Sequence, residues 1–589
     1  MRALNDVRND EQHAKTLQPT GPSWPSRPSW PFTGRATELE LVRDASAAGR
    51  PGIVVTGPAG HGKTRLITEA LRGTDHARVT GTPEARHLPL AAFAHLLPDT
   101  VPLPRAVRIL SGVRTLVVDD AQLLDETSAA LVHQLAVQGR TRTIVAAADG
   151  VPAPAAVSRL WTGELLPRLA LDPLSREDTA QLLAGAGLEP LTVRRLHRVC
   201  QGDLRLLRDL VAALAGAGRL APVPGTGERA WRGPLPLTPA VRERLAPALE
   251  RSGPGERDTL ERLAFAEPLP VPLEELPPHV LEDLEADGLI HVDDQGGVTL
   301  AHPLYGAALR AATGRLRARR AARVADAHHA ALAAEQRTLV RRMERLDVRP
   351  VPTPVGEWRV AEGIPLPPGY AEVRARFARL RGELREAAAW AREGLRETPS
   401  DTGCRAELRL SQGRLDDHTD PDDVHAVYAA VRLGAPERAV GRLPAGSVLA
   451  RHADALARGD GAALDGAAEA LAERGFLLYA AEARAQAVRA HRDPRAARRS
   501  RTRALALARR CAGARTPALA GLVLGDLTAR QQQIVTLAAA GLSNREIAER
   551  LTLSVRTVGN HLYSAYTRLG TGDRAALPTL VNAPEGVTV

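Results

Sequence analysis

The chain has 589 residues, of which 44% are hydrophobic and only 3% aromatic, with a formal net charge of +10. That length exceeds a single core, so several domains are expected, and the basic balance points to a polyanionic partner. Three widely spaced cysteines (Cys200, Cys404, Cys511) speak against a disulfide framework or a cysteine metal cluster. The absence of a long uncharged apolar run, or of a secretion-signal core, makes a cytoplasmic location the expectation.

Residues 1–28 are polar and proline-containing and read as disordered. In 29–185 a helix-like run, Glu38–Ala48, precedes the apolar strand Ile53-Val54-Val55-Thr56. The strand runs into Gly57-Pro58-Ala59-Gly60-His61-Gly62-Lys63-Thr64, which fits the phosphate-loop pattern G-x-x-x-x-G-K-[ST] in full. A helix over Arg65–Arg72 follows, and further strands are expected at Leu116–Val118, ending in Asp119-Asp120, and at Thr143–Ala147. Strands alternating with helices predict an α/β domain, a parallel sheet covered on both faces.

Lys63 is one of only two lysines, with Lys15, among 78 basic residues. The chain has moved almost wholly to arginine, yet keeps a compact ammonium where phosphates would be met, a point-charge task that a planar guanidinium performs poorly. In this reading the loop's backbone N–H groups cradle ATP phosphates and Lys63 neutralises their charge. Thr64 and Asp119 hold Mg²⁺, and Asp120 is the candidate for polarising an attacking water.

After Leu174 the pattern turns helical. Residues 186–346 read as a helical lid followed by a winged-helix-like region, whose hairpin is Leu289–Val292 and Val298–Leu300 around a turn at 293–297. Six prolines crowd 347–370, which reads as a linker. Residues 371–520 are Ala/Arg/Leu-rich and read as helical hairpins, without a clean 34-residue period.

In 521–583 three short helices are expected: Thr528 caps the first, Gly541 stops it, Ser543 caps Asn544–Leu551, and Ser554 caps a helix through Leu569. Two helices joined by a tight turn, the second long and amphipathic, make an all-α helix-turn-helix.

Two stretches of this segment, Gly541-Leu542-Ser543-Asn544-Arg545-Glu546-Ile547-Ala548 and Ser554-Val555-Arg556-Thr557-Val558-Gly559-Asn560-His561, closely resemble the LuxR-type DNA-binding domain. Together with Phe32-Thr33-Gly34-Arg35, Gly57–Thr64, Leu116–Ala121 and Leu171–Ser175, the chain resembles the large ATP-binding regulators of the LuxR family, signal-transduction ATPases with numerous domains. The resemblance implies Gly34 and Arg35 near the adenosine moiety. It implies Gly559, Asn560 and Tyr563 toward the groove floor, Asn560 being the best base reader. Arg545, Arg556, Thr557, His561 and Arg568 are then placed for phosphates.

The chain departs from the family in Ala146-Ala147-Ala148-Asp149, where relatives often carry a strand-end arginine, so slow or absent hydrolysis is expected. It also departs at Gln531, usually glutamate, at Gly559, often basic, and at Pro578, within the helix that relatives use to dimerise. The resulting expectation is an ATP-binding transcriptional regulator, an activator, with promoter DNA as partner and RNA polymerase contact, self-association and an unknown inducer to be considered. A DNA-dependent ATPase and a constitutive regulator with a degenerate ATPase scaffold are the alternatives.

Overall fold

In a computed structural model of the chain, the described residues run from 30 to 569, apart from 48, 99–100, 250–251, 322–324, 413–422, 512–513, 515, 525–527 and 540. The expected disordered segment 1–28 and Pro578 lie outside them. The chain divides into two compact units, one ending at Ala186 and one beginning at Gly187.

The first unit is an α/β sandwich. Its elements in order are α1 (Ala36–Ala45), β1 (Gly52–Gly57), α2 (Lys63–Ala70), β2 (Ala77–Thr80), α3 (Leu103–Leu110), β3 (Thr115–Asp119), α4 (Glu126–Gln138), β4 (Arg142–Ala148), α5 (Ala155–Thr162), β5 (Arg168–Ala170) and α6 (Arg176–Leu182). The five strands are parallel in the order β2-β3-β4-β1-β5. Strand side chains alternate between two cores, as a period of two requires. Val54, Val118 and Val145 face α3, α4 and α5; Ile53, Val55, Val117 and Ile144 face α1 and α2. The result is a parallel α/β sheet with the phosphate-loop motif following its β1, and with the strand ends side by side at one sheet edge: Thr80 pairs with Asp119, and Gly57 with Ala148. β2 and β5 are additions to the three strands expected from sequence.

The second unit begins with α7 (Pro190–Cys200), α8 (Leu204–Gly216), β6 (Leu220–Pro222) and β7 (Arg229–Trp231). A winged unit follows: α9 (Pro239–Leu249), α10 (Pro254–Ala266), β8 (Val271–Pro272), α11 (Pro278–Ala286), β9 (Ile290–Val292), β10 (Gly297–Leu300) and α12 (Pro303–Ala312). Its hairpin pairs Val292 with Val298 and Ile290 with Leu300, and β8 extends it to three strands. The Asp293 carboxylate accepts the N–H groups of Gln295 and Gly297 and so shapes the turn.

Residues 347–370 are not a linker. They form α13 (Pro354–Glu362) and bury Val348, Val355, Val360 and Leu366. Proline is tolerated in a helix's first turn, where its missing N–H has no partner to lose, and the chain uses Pro354 and Pro368 in that way.

Helices α14 (Pro368–Leu380), α15 (Leu384–Leu395), α16 (Thr402–Ser411), α17 (Val424–Arg432), α18 (Val448–Ala457), α19 (Gly461–Glu473), α20 (Leu477–Ala490) and α21 (Pro494–Arg510) follow. Short connections such as those at Gly382 and Gly475, both at positive φ, stack consecutive helices against one another. Their core carries buried ion pairs as well as apolar side chains. Arg432 binds Glu482 through two bonds of 2.7 and 2.9 Å while lying over the Tyr479 ring, and Arg379 grips Glu407 at 2.7 and 3.1 Å. His452 bridges the Tyr428 hydroxyl and Gln486; burial pushes its imidazole down to about 4, so it serves as a neutral link.

The C-terminal described helices are α22 (Pro517–Leu524), α23 (Ala529–Ala539), α24 (Asn544–Leu551) and α25 (Val555–Leu569). Gly541 takes φ 91° after α23. A capping box starts α24: the Ser543 hydroxyl accepts the Glu546 N–H at 3.3 Å, and Glu546 accepts the Ser543 N–H at 2.6 Å. Ser543→Ala should therefore lower stability of the helical trio by about 1 kcal/mol, read as earlier amide exchange in 544–551; unchanged protection there would show that the cap is dispensable.

Candidate functional site

The phosphate loop lies between the end of β1 and the start of α2. Gly57, Gly60 and Gly62 have φ of 149°, 82° and 89°, a backbone that side-chain-bearing residues rarely adopt. At Gly57 a Cβ would also stand 2.9 Å from the Leu171 carbonyl oxygen. Lys63, 7% exposed, curls over the loop and donates to the carbonyls of Gly57 at 2.7 Å and Pro58 at 2.8 Å. Pro58, Ala59 and His61 complete the turn, His61 being buried.

Two strands away, Asp119 ends β3 with its carboxylate turned to the loop: Thr64 Oγ1 donates to Asp119 Oδ1 at 3.1 Å. The hydroxyl and carboxylate that sequence assigned to Mg²⁺ are thus in direct contact across 55 residues. Asp120 follows in the left-handed region at φ 47°. Its carboxylate accepts from Gln122 Nε2 at 3.1 Å, and Gln122 Oε1 accepts the Ala148 N–H at 2.8 Å, tying β3 to β4.

Gly34 and Arg35 both have positive φ, at 69° and 61°. Arg35 donates to the Glu38 carboxylate at 2.9 Å and to the Asp172 carbonyl, while Gly34 lies against Asp178, whose carboxyl carbon a Cβ would approach to 2.8 Å. Residues 171–178 therefore connect the two expected nucleotide segments, touching Gly57 at one end and Gly34-Arg35 at the other.

Two arginines went unnoticed in the sequence. Arg78, on β2, pairs with Asp119 Oδ2 at 3.1 Å. Arg168, on β5, donates to Thr56 Oγ1 at 2.9 Å and stands 3.6 Å from the Asp149 carboxylate. The end of β4 lacks its own arginine, as the sequence indicates, but β5 brings one beside it.

In the C-terminal trio, Ile534, Val535, Ile547, Val558, Leu562 and Ala565 form the core, and Leu537, Leu542 and Leu551 pack against it. Gln531 bridges two partners: its oxygen accepts the Thr528 N–H at 2.9 Å and its amide donates to the Ser564 hydroxyl at 3.1 Å. Core contacts on one side of α25 leave Arg556, Asn560 and Tyr563 exposed at helical spacing on another, Tyr563 by 76%. Gly559 lies beside them with nothing within 4 Å of the Cβ direction. Thr557 and His561 are half-buried; the Thr557 hydroxyl is hydrogen-bonded to that of Ser554 at 2.7 Å. Arg545 is exposed on α24 with Glu549 at 3.2 Å. Arg568 falls on the last turn of α25, its side chain outside the described residues. Glu546 is engaged in its own helix cap.

Residues 526–581 match the family described as bacterial regulatory proteins, luxR family. They are a LuxR-type helix-turn-helix domain. Among curated proteins, the HTH-type transcriptional regulator YhjB of Escherichia coli (strain K12) is 44% identical to the LuxR-type segment over 59 residues, 10% of this chain and 30% of that protein. An HTH-type transcriptional regulator of Mycobacterium tuberculosis (strain ATCC 25618 / H37Rv) is 45% identical over 53 residues, 9% of this chain and 6% of the relative. The chain therefore spans less than a third of the length of either relative. Of solved structures, the Walker-type ATPase of Pyrococcus abyssi aligns at TM-score 0.31 and 13% identity, over 47% of this chain and 96% of that one. RuvB of Thermotoga maritima aligns at 0.26 and 14%, over 46% and 92%. No helix among the described residues is long and apolar enough to cross a membrane.

Proposed function

We propose that the protein is a transcriptional activator that binds ATP with Mg²⁺ and whose nucleotide state gates promoter binding by the LuxR-type domain. The observation that carries the reading is the joint presence, in one chain, of that domain and of a phosphate loop whose Thr64 already meets Asp119. The donor set fits the ligand: glycine-permitted N–H groups and an ammonium for phosphate oxygens, a hydroxyl and a carboxylate for a hard, oxygen-seeking cation. Mg²⁺, when bound, would supply neutralisation of phosphate charge. Gly34 and Arg35 are assigned to the adenosine side, Asp120 to water, and Arg545, Arg556, Thr557, His561 and Arg568 to DNA phosphates. With Asp120 tied to Gln122 and Arg168 to Asp149, turnover is slow and serves to reset the signal.

ATP acts as a switch only if the two conformations bind it unequally, and moving a population from 1:99 to 99:1 requires about 5.5 kcal/mol of preference. Gel shift of the full chain on its operator with ATP, ADP and no nucleotide tests this directly. Identical binding in all three conditions would refute gating. Sizing under the same conditions reads self-association.

Asn560 is the proposed base reader because it is exposed on α25 and its amide matches adenine N6 and N7. Asn560→Ala should weaken operator binding by about 1–3 kcal/mol and leave random DNA nearly unaffected. Equal losses on both would assign it to the backbone instead.

A further inference from the structure

Between the helical array and the LuxR-type domain lies α21 (Pro494–Arg510), in which seven of 17 residues are arginine and none is acidic. The rest of the array mixes its charges. α15 carries Glu386 and Glu393 beside Arg385 and Arg392, and Asp465 and Glu469 of α19 meet Arg484 of α20.

The inner face of α21 is fixed by packing. Ser500 and Ala504 are buried, and the Ser500 hydroxyl donates to the Asp465 carboxylate at 2.8 Å. Two arginines on the flanks have structural partners: Arg503 meets Glu469 at 3.0 Å, and Arg501 donates to the Leu522 carbonyl at 2.8 Å. The other five, Arg495, Arg498, Arg499, Arg509 and Arg510, are exposed. Among the described residues none of these five side chains has an ion-pair or hydrogen-bond partner.

At 3.6 residues per turn the five fall within an arc of about 120°, opposite Ser500 and Ala504. The pairs Arg498-Arg499 and Arg509-Arg510 are eleven residues apart, close to three turns, so they point the same way about 16 Å from each other. Like charges three and four residues apart weaken a helix, and the helix dipole favours only Arg509 and Arg510, in the last turn. A polyanion laid against this face removes that repulsion.

The chain itself brings one polyanion there. Ala518, Leu519 and Leu522 of α22 are buried in the core of the array, and the LuxR-type match begins at residue 526. From Leu524 to Ala529, where α23 starts, five residues of chain reach at most about 18 Å. Duplex held by α25 is therefore kept on a short tether from α21, at an effective concentration on the order of millimolar.

We propose that α21 is a second DNA-binding surface, whose five exposed arginines contact phosphates of the duplex flanking the segment held by α25. The inference rests on the LuxR-type domain holding DNA, and it goes further in giving the helical array a direct part in affinity. A guanidinium fork suits phosphate oxygens, and phosphate contacts position without specifying sequence. The surface thus adds affinity on any duplex and leaves base preference to α25.

The test is a salt titration of the full chain, with ATP and Mg²⁺ in every arm, on a mixed-sequence duplex of about 40 base pairs between about 50 and 200 mM salt. The quadruple variant Arg498→Gln, Arg499→Gln, Arg509→Gln, Arg510→Gln should flatten the slope of log K against log salt by about 3–4, at about 0.9 per phosphate contact. The wild type's advantage over it then shrinks roughly 100-fold across that range. The same charge change made elsewhere on the array, at the exposed Arg405→Gln, Arg438→Gln, Arg451→Gln and Arg458→Gln, should keep the wild-type slope. If the quadruple variant does not fold, Arg509→Gln with Arg510→Gln should give about half of the flattening. An unchanged slope in the folded α21 variant, or equal flattening in the control, overturns the proposal. So does α21-dependent binding to phosphatidylglycerol vesicles with the DNA slope unchanged, which assigns the face to a membrane. Absence of any duplex binding by the wild type is a separate failure, that of the DNA-binding reading, and takes the proposal with it.

Discussion

Lys63→Ala is expected to cost the protein its ATP binding and, with it, most of its promoter activation. The ammonium has three donors, and hydrogen bonds to charged groups contribute about 1.5–3 kcal/mol each. Loss of about 3 kcal/mol weakens ATP roughly 100-fold or more. Lys63→Arg should not restore binding, because Nζ sits in a buried niche within 2.8 Å of two loop carbonyls and a planar fork is too large for it. Calorimetric titration of ATP with Mg²⁺ gives the affinity, and a reporter at matched protein level gives the output. Full activation by the alanine variant would sink the switch even if ATP binding were lost.

The second large effect lies in the helical array and concerns stability alone. Glu482→Ala removes the partner of Arg432, whose guanidinium is buried between α17 and α20. Breaking one side of a buried pair costs about 3–5 kcal/mol, because an uncompensated charge stays behind. In a unit of about 400 residues that lowers the calorimetric transition by about five degrees. The double replacement Arg432→Met with Glu482→Leu should recover most of the loss, since matched apolar residues carry no desolvation penalty. A double variant as unstable as the single one would show that the pair contributes through its hydrogen bonds rather than its balance of charge.

Much of the first unit was legible in the sequence because its central strands are apolar runs ending in polar, chemically distinctive residues: Ile53–Thr56 before the glycine loop, Leu116–Val118 before two aspartates. β2 and β5 escaped notice because they are edge strands of four and three residues, partly exposed, with arginines in them. For the same reason Arg78 and Arg168 were invisible: nothing local to either residue marks it, and only the strand order brings them to the loop's edge of the sheet. The hairpin at 290–300 was readable from its turn, and the caps at Ser543 and Ser554 from their hydroxyls. The prolines of 347–370 misled because proline breaks a helix interior but also begins one, and composition does not distinguish the two positions.

The ion pair between Arg78 and Asp119 has a consequence for the resting protein. A carboxylate at the end of a buried strand is ordinarily an electrostatic liability. Here the neighbouring strand provides a counter-ion of its own, so the sheet edge is neutralised whether or not a metal arrives. On the proposed reading, loading Mg²⁺ at Asp119 would be an exchange of one cation for another rather than the neutralisation of a bare charge.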